Sequence, residues 1–534
     1  MEKEYHIVND EGMYDYFYDL LNGKLDFLIS SNDKKKKGTE WQKSLISYNF
    51  EQIYETRRAV YSEKEVCNEL CIMDDILQIF QTFFCIPGID RLWINNYGAI
   101  ENDIFLEYDA NNGKPKKIRE HCKHQYRNVY LGSLLMLEYG FLNAMTDCIL
   151  NSKSLLASYI KSLAGEKENE IKKVLYQSYY LSAMFHDIGY PLVFFLRKAK
   201  EIHQYAPFYK IISSSVKTEF TEIKAILAES ILFQIVPEKK IEEKYVSNDH
   251  GCLSAISFLL NFYSTGSIFA LETTERCIVE TTGLAIYRHT DHLENDYMIF
   301  EEDPLSYMVR LCDDLQEWER FLMVINDKHN FLKCTECGSI VKAEGRSYHC
   351  ECGARFEKIT HIINKKVNYI SLCNSLKLFL DKDKNELEIY LDFDYYKQIE
   401  IILDDYTSVK KRHEDIEKIK QYLEYQKYIP NIKVNACLSN NPICLIENFL
   451  EEKELSISVL KEEEEKNRGL NEAGRRKALK FLEEIEFYIQ NKTERERKFG
   501  KEIEEDIFVY GENAILFVEE YLGQIHSLMK RYEM

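Results

Sequence analysis

Leu181-Ser-Ala-Met-Phe-His186-Asp187-Ile-Gly189-Tyr-Pro191 reads as the end of a buried helix that carries a histidine and an aspartate side by side. Gly189 and Pro191 are read as its stop. The pair offers an imidazole nitrogen and a carboxylate oxygen, donors that suit a hard or borderline divalent cation. A His-Asp dipeptide also arises by chance, so its meaning depends on the surrounding chain.

Upstream, an amphipathic helix begins at Arg119. His121, His124, Arg127 and Asn128 fall on one polar stripe, opposite Val129, Leu131, Leu134, Leu135 and Leu137. Such a stripe either faces solvent or lines a pocket. A second helix is expected from Asn143 to Leu163, and a third over about 171–187 carries the His-Asp pair. Residues 191–240 read as helical, with Pro237 as a break. Asp249 is a candidate N-cap, which places His250 in the first turn of an apolar helix. Helix 267–289 ends in Ile286-Tyr-Arg-His289. Asp303-Pro304 then starts a helix with proline in its first turn. That helix holds Asp313 and Asp314, an acid pair that is costly among apolar residues unless paired or bound to a cation.

Cys334-x2-Cys337 and Cys350-x-Cys352 follow, separated by twelve residues, with a glycine after each pair. Two cysteine hairpins of this spacing make a tetrahedral thiolate site for structural Zn2+; four unrelated core thiols are the alternative. Mixed charges around the ribbon favour a structural or partner-docking role. Val367–Leu372, Leu376–Leu380 and Leu387–Phe393 alternate as strands, the last two joined by a Lys-Asp-Lys-Asn turn. Ile432–Ala436 is a further strand candidate, and Asn441-Pro442 a turn. Residues 396–428 and 444–534 read as helices, and the Glu462–Glu465 run as a solvated face.

The whole chain has 534 residues, which suggests two to four domains. Its 37 Tyr and 29 Phe are enough for a large core, while 8 Pro and 21 Gly favour long helices. A net charge of −20 argues against binding nucleic acid or an anionic membrane through a broad surface. The charged N-terminus lacks a hydrophobic signal core, and no stretch approaches the roughly 18 apolar residues of a membrane span. Fifteen Cys without a signal point to a reducing cytosol.

In order and context, His124, the His186-Asp187 pair and Asp313 resemble the metal ligands of the HD superfamily of phosphohydrolases. The resemblance spans about residues 60–330. It implies an all-helical core that binds Mn2+, Mg2+, Fe2+, Ni2+ or Zn2+, as one ion or two, and hydrolyses a nucleotide phosphate. His250 and His289 occupy positions where members of the family place further histidines. They are read as completing a second ion site or as a general acid; otherwise each is a satisfied helix-end histidine. Arg127, one turn after His124, is a candidate phosphate contact, with Arg288, Arg310 and Arg320 as weaker ones. The Gly189-Tyr190-Pro191 string does not mark the cyclic-dinucleotide subgroup whose signature uses those letters.

The large core with appended parts resembles deoxynucleoside-triphosphate triphosphohydrolases and related bacterial defence effectors. The extra histidines resemble two-ion cyclic-nucleotide and cyclic-dinucleotide phosphodiesterases. A nucleotide-sensing interaction protein is the non-enzymatic alternative, with the ribbon or the C-terminal helices docking a protein partner or a second copy. The expected architecture is mainly α. An N-terminal helical segment spans 1–59, the HD-like core 60–330, the zinc ribbon 331–360, a small α+β unit 361–445, and a charged helical region 446–534.

Overall fold

The computed structural model describes residues 3–20, 24–25, 118–119, 122–193, 219–291, 299–318, 321–326, 329–334, 336–337, 340–342, 352, 356–361, 366–371, 373–393, 431–438, 440–466, 471–504 and 507–532. The expected helix over 396–428, together with His121, Arg320 and Cys350, lies outside them.

The described chain is mostly helical. It opens with strand β1 (Lys3–Val8) and helix α1 (Asp10–Asp19), whose N-cap Asn9 accepts the Gly12 N–H. After the short strand β2 (Ile118–Arg119) come α2 (Cys122–Leu137), α3 (Phe141–Asn151), α4 (Leu155–Ala164) and α5 (Glu168–Phe185). The single helix expected over 143–163 is thus two. Ser152-Lys153-Ser154 interrupts it, and Ser154 caps α4 by accepting the Ala157 N–H at 3.1 Å.

Helix α5 is the axis of the helical part. It is apolar almost all round, with Val174 to Phe185 buried throughout, and α2, α3 and α4 pack on it. Further along are α6 (Ile231–Ile235), α7 (Glu238–Val246), α8 (His250–Tyr263), α9 (Thr273–Arg288) and α10 (Pro304–Leu315). Helices α9 and α10 complete the ring around α5. Ser178 on α5 and Thr281 on α9 satisfy each other at 2.8 Å in that interface. Asp249 caps α8 through the Cys252 N–H at 2.8 Å, and Asp303 caps α10 through the Ser306 N–H at 3.0 Å.

The strands form small sheets. β3 (Phe321–Asn326) pairs with β2 and with β7 (Lys366–Ser371). β4 (His329–Cys334) lies between β5 (Ile340–Lys342) and β6 (Phe356–His361). A four-stranded sheet runs β1, β8 (Cys373–Asp381), β9 (Glu386–Phe393), β10 (Asn431–Leu438), with only the β9–β10 pair parallel. The N-terminal strand therefore completes the sheet expected as a separate unit over 361–445. The N-terminal segment is not purely helical, because residues 3–8 find their partners about 370 residues away in β8.

Helix α11 (Pro442–Glu452) starts where a turn was expected, since Asn441 caps it through the Ile443 N–H. Helices α12 (Ile457–Lys466), α13 (Glu472–Gln490), α14 (Lys492–Phe499) and α15 (Glu512–Tyr532) follow, with a hairpin of β11 (Lys501–Glu504) and β12 (Ile507–Val509) before the last. Helix α15 packs on β10 and α11. No helix among the described residues is long and apolar enough to cross a membrane.

Candidate metal centre

Six side chains meet where helix ends converge. His186 is the residue that caps the C-terminus of α5, and His289 does the same for α9. Asp313 lies in the last turn of α10, His124 in the first turn of α2, and His250 opens α8. The His-Asp pair thus sits in the turn at 186–189, just beyond the helix expected to carry it. Pro191 is the second residue of a further helical turn at 190–193 rather than the end of one. The C-termini of α5, α9 and α10 and the N-termini of α2 and α8 end here, so the helix dipoles act in both directions and the two carboxylates supply the negative charge.

Two glycines let the segments come close. A Cβ on Gly189 would lie 2.7 Å from the Ser254 backbone nitrogen and 2.8 Å from the His250 carbonyl oxygen. A Cβ on Gly251 would meet the Thr290 side chain at 2.6 Å and the His289 ring at 3.0 Å. Gly189 therefore serves close packing between the His-Asp turn and α8 more than it serves helix termination.

Asp313 Oδ1 is 2.6 Å from His124 Nε2 and 3.5 Å from His186 Nε2. Asp187 Oδ2 is 3.5 Å from His186 Nε2, and its Oδ1 is 3.6 Å from His250 Nε2. The Nε2 atoms of His250 and His289 are 3.2 Å apart. Ligand atoms about 2.1 Å from one ion lie roughly 3–3.5 Å from each other. Two overlapping groups have that character: His124, His186 and Asp313, and His186, Asp187 and His289, each with ligand atoms within 4.8 Å of one another. His124, His186, Asp187 and His289 are buried, whereas the Asp313 and His250 side chains keep 23% and 30% exposure and form the open side.

The ring nitrogens are arranged alike. His186 Nδ1 donates to the Ala183 carbonyl at 2.9 Å, and His289 Nδ1 to the Ile286 carbonyl at 2.6 Å. Each uses an end-of-helix carbonyl that has no partner further along its helix. His124 Nδ1 meets the amide oxygen of Gln316. With these three Nδ1 atoms occupied, the Nε2 atoms of His124, His186 and His289 are turned inward, the face a histidine ligand presents. His186 Nε2 is buried and makes no hydrogen bond at all. A cation between Asp187 and Asp313 would satisfy it, so the residues present fit a divalent metal.

The electrostatics agree. Burial alone would lower the His186 imidazole, but Asp187 and Asp313 outweigh it and raise it to about 9. Burial alone would raise the Asp313 carboxyl, yet His124 and His186 hold it well below the usual carboxylate range. Burial, with His186 and His250 beside it, pushes His289 down, so this ring is neutral.

Arg127 is placed differently from the phosphate contact expected of it. It is fully buried, and its Nε and Nη2 bond Asp10 of α1 at 2.8 Å each. That fork clamps α1 to α2. Arg288 pairs with Asp303, and Arg310 with Asp314 at 3.5 Å. Sequence reading missed Gln316 and Asp10. Asp10 follows the capping Asn9 and gives no sequence signal of its partner, whereas Gln316 lies three residues after Asp313, within reach of a search beside each ligand.

The cysteines form a second group. Cys334 ends β4, Cys337 follows in the turn to β5, and Cys352 precedes β6. Their sulfurs lie within 4.8 Å of one another. Cys334 and Cys352 Sγ are 3.3 Å apart, too far for a disulfide at about 2.05 Å and close to the roughly 3.7 Å of thiolates sharing zinc. Backbone N–H groups of Cys337 and Glu336 draw the Cys334 thiol down to about 6.

Comparison of the chain with family models, with curated proteins and with solved structures gives no match.

Proposed function

We propose that this chain is a divalent-metal-dependent phosphohydrolase of the HD type that acts on nucleotides. The observation that carries the reading is the meeting of His124, His186, Asp187 and Asp313, with each buried imidazole turned to present Nε2. A cation bound there supplies a Lewis acid for a phosphoryl oxygen and lowers the pKa of water. Asp187 and Asp313 hold the positive charge. His250, at the open side and 3.2 Å from His289, is placed to pass a proton to the leaving oxygen. Structural Zn2+ at Cys334, Cys337 and Cys352, with Cys350 as the fourth thiolate, belongs to the same proposal, as does a cytosolic setting.

Within this class the resemblance leans to a deoxynucleoside-triphosphate triphosphohydrolase, which releases nucleoside and triphosphate. The adjoining group His186, Asp187 and His289 favours a second reading, a cyclic-nucleotide or cyclic-dinucleotide phosphodiesterase, because paired ions suit in-line displacement at a diester.

The test is product analysis with Mn2+ or Mg2+ over dNTPs, NTPs and cyclic nucleotides, with the His186→Ala/Asp187→Ala variant as control. Deoxynucleoside and triphosphate that vanish in the variant support the first reading. Linear nucleotide from a cyclic substrate moves the assignment to the second. Turnover of nothing by a cation-loaded protein overturns both in favour of a nucleotide-sensing interaction protein.

A further inference from the structure

Resting on the metal reading, we propose that Gln316 is a positioning residue that fixes the ring tautomer of His124 and so aims its Nε2 at the ion. His186 and His289 close their helices, so each finds an Nδ1 acceptor three residues back on its own helix. His124 lies in the first turn of α2 (Cys122–Leu137), at the opposite end of its helix. Its acceptor comes from 192 residues away, the fully buried Gln316 at the end of α10.

The orientation of the Gln316 amide is determined by its other end. Gln316 Nε2 donates to the Trp318 carbonyl at 2.8 Å. Reversing the amide would face two oxygens at Trp318, so the amide oxygen points to His124 and requires a hydrogen on Nδ1. Nε2 is thereby left to the side where Asp313 Oδ1 stands at 2.6 Å and Asn128 Nδ2 at 3.1 Å. Trp318 is itself held: its backbone bridges Cys373 at the start of β8, and its indole N–H donates to Asp10 at 3.2 Å. The amide is therefore a fixed acceptor, and a side chain without one would let the His124 ring turn or change tautomer.

The test compares the full-length wild type with Gln316→Met, which keeps the length and removes the acceptor, and Gln316→Glu, which keeps an acceptor but loses the bond to Trp318. Mn2+ affinity by titration calorimetry is read beside the melting temperature of the ion-free chain. Loss of an outer-shell partner lowers metal affinity by about 10–100-fold. The expected result is that loss in Gln316→Met, with affinity near wild type in Gln316→Glu, even though both melt lower. Equal affinity in Gln316→Met and wild type overturns the proposal, as does a loss in both variants that follows only their stability. If Gln316→Met does not fold, 15N-histidine spectra of the Zn2+-loaded wild type decide. A hydrogen on His124 Nδ1 is expected, and one on Nε2 overturns the proposal. A wild type that takes up no divalent ion at the histidines instead overturns the metal reading itself.

Discussion

The histidine centre and the cysteine centre are built in opposite ways. The cysteines Cys334, Cys337 and Cys352 come from one short stretch, around the end of β4 and the approach to β6. Their geometry follows from local turns and backbone N–H groups. The histidine centre draws on the ends of α2, α5, α8, α9 and α10, spread from His124 to Asp313, and needs the whole helical ring in place. A local site survives damage elsewhere in the fold. A site assembled from distant helix ends registers every change in the packing that brings them together.

Crossed ligand variants give the largest expected effect. Asp313→Ala removes the carboxylate shared by His124 and His186. It should weaken Mn2+ binding at least about a thousandfold, on the order of 4 kcal/mol, while zinc content stays at wild-type stoichiometry. Cys334→Ser should do the reverse. Metal analysis of both purified variants checks this, and loss of both metals in either one would show that the centres are not independent.

The Arg127–Asp10 clamp sharpens the same contrast. Arg127→Ala strands a buried carboxylate, a change that costs about 3–5 kcal/mol. Urea unfolding should show that loss in the helical part, with weaker binding at the histidines, because His124 sits on the helix that Arg127 anchors. Zinc at the cysteines should be unaffected. A variant with wild-type stability would remove the clamp from the account of how the site is built.

What the sequence reveals follows the same division. Cys-x2-Cys and Cys-x-Cys are legible because their meaning is local. The caps Asp249 and Asp303 are also legible, since a cap and the N–H groups it serves are neighbours in sequence. The candidate ligands His124, His186, Asp187 and Asp313 stand out only when taken in order along the chain. Their convergence depends on packing that no local pattern encodes. Arg127 was misread because an arginine one turn from a histidine looks the same in sequence whether it faces a phosphate or Asp10. Strand β1 was missed because its partner lies about 370 residues further along the chain. Gln316 escaped because its place beside Asp313 becomes visible only when the neighbours of each ligand are searched, and its partner His124 lies 192 residues away.

The smallest effect is a proton count, and it again separates the two centres. In the ion-free protein His186 is raised to about 9 by Asp187 and Asp313, against the burial that would lower it. Its folded pKa exceeds its unfolded one of about 6.5. The resulting stabilisation is fully present below pH 6.5 and is lost as pH rises through about 9. At pH 7.5 the imidazole carries a proton between two carboxylates, where the cation would bind. Mn2+ must displace that proton, while the neutral His289 has none to give. Calorimetry in buffers of different ionisation enthalpy should therefore find close to one proton released from His186 per ion. Affinity should rise about tenfold per pH unit until pH 9, about 1.4 kcal/mol for each unit. Cys334, drawn down to about 6, is already a thiolate at pH 7.5 and adds no proton when zinc binds. A pH-independent Mn2+ affinity between 6.5 and 9 would mean that His186 does not hold the proton that the ion replaces, and that the two carboxylates face the histidine less closely in solution than their 3.5 Å separations imply.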